Sequence, residues 1–199
     1  FGQSICYQNI GLIHNSLENG ERARKNFIKA LELREEINDT TGMADCSIGI
    51  GLSFQSDEKL DSALFYFNYA IELSVVVNDL ITQSYCYTNM GHIYRTRGDI
   101  KMGLDLYFKS YEINKEFGNK INLAADLISI GQAYLDMDEY LMAEKYTNEG
   151  LEYAIESGKR EYEKNAYITL YVLFKETENY KKALEYYELF SELNNELFN

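Results

Sequence analysis

The sequence predicts an all-α fold, a solenoid of five helix–turn–helix units, and three observations carry that prediction. Landmark residues return every 40 positions through the 199-residue chain. Within each copy the large apolar residues are spaced by three, four and seven, the spacing of one helix face. The chain has no proline, which fits long uninterrupted helices. Self-similarity at this period is the mark of stacked repeats, in which each unit is too small to bury its apolar face alone.

The first helix of each unit carries Gly11, Gly51, Gly91 and Gly131, with Tyr171 in the fifth copy. Three residues later stands a ring: His14, Phe54, Tyr94, Tyr134 and Phe174. The second helix opens with a small residue, Ala23, Ala63, Gly103, Ala143 and Ala183, followed by Phe27, Phe67, Tyr107, Thr147 and Tyr187. A second small position holds Ala30, Ala70, Ser110, Gly150 and Phe190. Small residues belong where two helices approach closely, and rings fill the space that opens beside them.

Turn residues punctuate the same register. Gly20, Asp57-Glu58, Gly98-Asp99, Asp138-Glu139 and Glu178-Asn179 mark the turn inside each unit. Asn38, Asn78, Gly118 and Gly158 fall where each second helix ends and suit a left-handed cap. About ten antiparallel helices follow, near residues 4–17 and 21–37 in the first unit and at their translates. The expected organisation is a single domain over residues 1–199, with repeats at about 4–43, 44–83, 84–123, 124–163 and 164–199.

This arrangement of glycine, rings and alanines resembles the tetratricopeptide repeat across the whole chain. It departs from the family's common unit of about 34 residues, and the proline that usually closes the second helix is replaced by Glu35, Val75, Lys115, Ile155 and Asn195. The longer unit is similar to that of Pins/LGN-type scaffolds, Rap-like peptide-sensing regulators, and repeat domains of bacterial sensor kinases and diguanylate cyclases. HEAT and armadillo repeats share the period but lack this glycine and alanine signature. The resemblance implies a right-handed superhelix whose concave face is lined by the first helices and holds a protein or peptide ligand.

Composition narrows the partners. Lys and Arg number 19 against 32 Asp and Glu, net −13, which repels phosphate backbones and anionic head groups. Residues 135–199 hold 15 acidic and 7 basic residues, net −8, the composition of solvated acidic helix faces. No nucleic acid is expected as partner. No apolar run approaches the about 18 residues needed to cross a bilayer, so no membrane insertion is expected either. Cys6, Cys46 and Cys86 stand one repeat apart, in one slot of successive units. Stacked helices are about 8–10 Å apart, beyond the about 7 Å Cα limit for a disulfide. They read as small buried residues, like Ala166 in the fifth copy. His14 and His92 lack the closely spaced partners that a metal site needs, and no phosphate loop or nucleophile–base motif occurs. No metal, cofactor or catalytic activity is expected. Unpaired thiols fit a reducing compartment, so a cytoplasmic location is expected, with an extracytoplasmic one still open.

With core residues assigned, helical spacing leaves one face of each first helix for binding. That face carries Gln8, Asn9, Leu12 and Asn15; then Asp45, Ile48, Leu52 and Gln55; then Tyr85, Thr88, Asn89, His92 and Arg95. The fourth and fifth units add Ile128, Gln132 and Leu135, then Asn165, Ile168, Val172 and Lys175. Amides can pair with a peptide backbone, Arg95 can fork to a carboxylate, and Leu12, Leu52 and Val172 can receive apolar anchors. The two-carboxylate clamp known in the family is not expected, because its lysine positions hold Gln8, Ile48, Thr88, Ile128 and Ile168. Phe1-Gly2-Gln3 aligns with Thr41-Gly42-Met43, read as the linker entering a unit, which suggests a preceding helix pair. Residues 193–199 resemble the exit of sensor-kinase repeat domains. The expected role is therefore the sensory or regulatory part of a longer bacterial signalling protein, or else a constitutive scaffold or oligomerisation module.

Overall fold

The structure, a computed structural model, describes residues 2–198, apart from the side chains of 197 and 198. Among the described residues there are ten helices: α1 (Gly2–Ser16), α2 (Gly20–Glu35), α3 (Thr40–Ser56), α4 (Leu60–Val76), α5 (Leu80–Thr96), α6 (Ile100–Glu116), α7 (Lys120–Leu135), α8 (Tyr140–Ser157), α9 (Arg160–Glu176) and α10 (Tyr180–Phe198). They pack as two compact units, one running to Ile93 and one starting at Tyr94. In the first, α1 packs on α2, α2 on α3 and α3 on α4, and α1 also touches α3. In the second, α6 through α10 pack in sequence, and α7 also touches α9. Each unit is therefore a stack of helical hairpins in which first helices meet first helices, the solenoid arrangement expected from the period.

The caps are where the register placed them, with one correction. Asn38, Asn78, Gly118 and Gly158 all have left-handed backbones, with φ of 53, 54, 63 and 65°. The turns inside the units use Glu18, Glu58, Gly98, Asp138 and Glu178 at φ of 55 to 84°. In the first unit the left-handed residue is thus Glu18, not Gly20, which already begins α2. A Cβ on Gly20 would lie 2.6 Å from Asp57 Oδ1, so its smallness serves packing rather than the turn. Thr41-Gly42-Met43 is not a linker. Asp39 caps α3 by accepting from Gly42 N at 3.0 Å, which starts the helix at Thr40. Gly2 and Gln3 are likewise helical, and Phe1 lies outside the described residues.

Small residues and rings interlock as their spacing demands. Ala23, Ala63 and Ala143 are fully buried, and so are Phe67 and Tyr107. A Cβ on Gly49 would lie 2.5 Å from the Phe27 ring, and one on Gly51 would lie 2.9 Å from the Phe67 ring. Rings twelve residues apart stack within single hairpins: Phe54 on Tyr66 at 5.7 Å, Tyr134 on Tyr146 at 5.5 Å, and Phe174 on Tyr186 at 5.6 Å. Thr147, in the ring position of the fourth repeat, is fully buried with its hydroxyl unpartnered. His14, assigned to the ring row, is only half-buried.

The cysteine slot needs a second correction. Cys46 and Cys86 are buried, whereas Cys6 is exposed. The face of α3 that holds Cys46 is covered by α2, and α1 has no described helix before it. Burial pushes both inner thiols from the ordinary 9.0 up to about 12. Their folded-state pKa is raised, so the stability they contribute is present below pH 9 and is lost as the pH climbs toward 12. In the native protein at neutral pH, Cys6 should react with an aromatic disulfide reagent within minutes. Cys46 and Cys86 should react only on addition of denaturant. Rapid titration of all three in the native state would contradict the buried placement.

Candidate functional site

In the first unit the candidate residues lie along α1, α3 and α5. Asn9 is exposed, Leu12 is 51% exposed and Tyr85 43% exposed, while Asn15, Leu52, Gln55, Asn89 and His92 are half-buried. Asn89 Nδ2 donates to the Tyr85 carbonyl at 2.8 Å, which leaves its carbonyl oxygen directed away from that bond. Gln8 is held from below. Arg34, buried on α2, forms an ion pair with Asp39 and donates from its NH2 group to Gln8 Oε1 at 3.2 Å. The Gly42 amide that Asp39 accepts, together with Arg34, holds the Asp39 carboxyl below the usual carboxylate range despite partial burial. This Arg34–Asp39 anchor under the face was not foreseen. The sequence signal was a largely polar row at one register position, Arg34, Ser74, Asn114 and Asn194, broken by Ala154 in the fourth copy.

The second unit carries Arg95, Gln132, Val172 and Lys175 from the end of α5, from α7 and from α9. Lys175 is exposed and the other three are half-buried. Arg95 forks inward: its Nε lies 2.5 Å from Asp136 Oδ2, and its NH1 group donates to Gln132 Oε1 at 3.1 Å. It also hydrogen-bonds the Tyr107 hydroxyl, whose pKa is raised by burial and eased back by that guanidinium. Gln132 Nε2 in turn donates to Thr169 Oγ1 at 3.2 Å. The guanidinium read as able to fork to a ligand carboxylate is paired here with a carboxylate of its own chain. Ile128, read as part of the open face, is 3% exposed; a Cβ on Gly150 of α8 would come within 2.8 Å of it. That close approach of α7 and α8 closes the face there.

A buried carboxylate completes the second unit. Asp126 is 1% exposed and accepts from Asn114 Nδ2 at 2.7 Å and from Ser110 Oγ at 3.0 Å. It stands in the slot held by Cys6, Cys46, Cys86 and Ala166 in the other copies. The 40-residue register placed an acid among small core residues, and that anomaly was its only signal. Among the described residues no group of three or more His, Cys, Asp or Glu is arranged to hold a metal. No described helix is long and apolar enough to cross a membrane.

The profile of the tetratricopeptide repeat family matches residues 5–40. No curated protein sequence matches the chain. Among solved structures, apo RapI is similar over 98% of this chain and 84% of its own, at 15% identity and a TM-score of 0.76. BtubC from P. vanneervenii is similar over 95% of this chain and 78% of its own, at 12% identity and a TM-score of 0.79. A Rap protein complexed with Competence and Sporulation Factor is similar over 98% of this chain and 64% of its own, at 15% identity and a TM-score of 0.75. At such identities the likeness establishes the fold. Together with the profile match over one repeat, the five-copy register and the helical hairpins of both units, it supports a fold of tetratricopeptide-like repeats.

Proposed function

We propose that this domain binds a polypeptide along the first helices of its repeats and is the sensory or regulatory part of a bacterial signalling protein. The observation that carries the reading is the face of α1, α3 and α5 in the first unit. Leu12 and Tyr85 stand open to solvent there, between amides of Asn9, Asn15, Gln55 and Asn89. A surface that interleaves backbone-pairing amides with apolar anchors suits an extended or helical peptide. The similar Rap protein complexed with Competence and Sporulation Factor supports a ligand-binding role for this repeat architecture. The net charge of −13 favours a neutral or basic partner and disfavours nucleic acid.

The test is selection of binding peptides from a displayed random library, followed by calorimetry on the best binder. Leu52→Glu should weaken that binder at least about tenfold, since a lost apolar anchor is worth about 1.5–3 kcal/mol and 1.4 kcal/mol is a factor of ten. Phe65→Glu, at an exposed position on α4, should leave binding unchanged. Wild-type affinity in Leu52→Glu, with helical circular dichroism intact, would remove the face from consideration. Small-angle scattering with the same peptide separates the two roles: a sensor changes its dimensions on binding, and a constitutive scaffold does not.

A further inference from the structure

The Arg95 network in the second unit has a feature that a purely structural ion pair does not need. Asp136 is the residue that ends α7, at the negative end of that helix, where a carboxylate is electrostatically disfavoured. It is held there by the Arg95 guanidinium, and the pair is left accessible, with side chains 28% and 36% exposed. Beneath it everything is fixed. The Tyr107 hydroxyl, on a fully buried ring, holds the guanidinium from one side. Gln132, braced by Thr169, which is 4% exposed, holds it from another. The cation is thus preorganised on a rigid base, while its anion sits at an unfavourable place on the solvent side.

We propose that Asp136 is an internal stand-in for a carboxylate of the bound polypeptide, and that this carboxylate displaces Asp136 from Arg95 when the ligand docks. The proposal rests on the polypeptide-binding reading above and specifies its chemistry: a chain with a free carboxylate and otherwise neutral or basic residues. Exchange of one carboxylate for another leaves the charge at Arg95 unchanged and releases Asp136 to solvent, so the competition is set by Asp136 alone. Planar, two-nitrogen recognition makes arginine suited to such exchange.

The experiment uses the full chain, immobilised, and a pool of random nonapeptides made without Asp or Glu, once with a free C-terminal carboxylate and once amidated. Asp136→Asn should retain the carboxylate pool several-fold better than wild type and the amidated pool equally well. Arg95→Gln should abolish the difference between the pools. Thermal unfolding followed by circular dichroism checks that both variants fold. If all three proteins retain the two pools equally, the displacement idea is wrong while polypeptide binding stands. If none retains either pool, the polypeptide-binding reading fails and this proposal with it.

Discussion

Phe67→Ala should destabilise the first unit by about 4 kcal/mol, the middle of the range for truncating a buried ring. Phe67 is fully buried on α4, and its ring presses on the backbone of α3 at Gly51, where a Cβ would lie 2.9 Å from ring carbon. Removing the ring takes away its transfer free energy and leaves a cavity that rigid helices cannot collapse. Because α3 carries a glycine there, the geometry also predicts a partial rescue. Gly51→Ala alone should be destabilising through the clash, yet in the Phe67→Ala background its methyl enters vacated space and gains about 1 kcal/mol of helix propensity. Urea unfolding of the four proteins measures the coupling. Additive effects would show that ring and glycine do not meet.

Asp126→Ala should cost about 3 kcal/mol, and here two opposing effects must be weighed. Removing a carboxylate that is 1% exposed relieves its desolvation, which favours the variant. Against this, Asn114 Nδ2 and Ser110 Oγ lose the acceptor they meet at 2.7 and 3.0 Å; Asn114 Nδ2 keeps Ser110 Oγ at 3.1 Å, but a lost hydrogen bond to a charged group costs about 1.5–3 kcal/mol. Asn114 is itself 1% exposed and cannot turn to water, so the second effect wins. Asp126→Ala combined with Asn114→Leu removes one of the two donors along with the acceptor, at the expense of the bond that Asn122 Nδ2 donates to Asn114 Oδ1 at 3.2 Å, and should recover part of the loss. Denaturant midpoints of the single and double variants decide this. A double variant as weak as the sum of the singles would mean that the carboxylate is held by other groups.

The period of 40, the glycine and alanine rows and the missing prolines are local signals, each set by what one helix must present to its neighbour. For that reason the all-α class, the hairpins and the left-handed caps at Asn38, Asn78, Gly118 and Gly158 were legible in advance. The Thr147 departure was legible too, as a break in a row of rings, although its buried, unpartnered hydroxyl was not. Side-chain pairings across repeats were hidden, because they join residues some 40 positions apart whose meeting depends on how far each helix is rotated. Arg95 could be placed on a face by spacing, but its fork to Asp136 and Gln132 appears only when the chain after Tyr94 folds and brings residues about 40 positions apart together.

Cys6 and Ile128 show the same division from the opposite side. Register alone made Cys6 equivalent to Cys46 and Cys86, yet burial is a property of what covers a residue, and α1 has no described helix over that face. Register also assigned Ile128 to the open surface, and the tight approach of α8 at Gly150 covers it. By itself, then, the sequence determined the repeat, its helices and the residue types on each face, since these follow from periodicity and backbone preference. Only the tertiary structure decided which of those residues are open, which are buried, and which charge already has a partner, because exposure and pairing are set by neighbours brought together through packing.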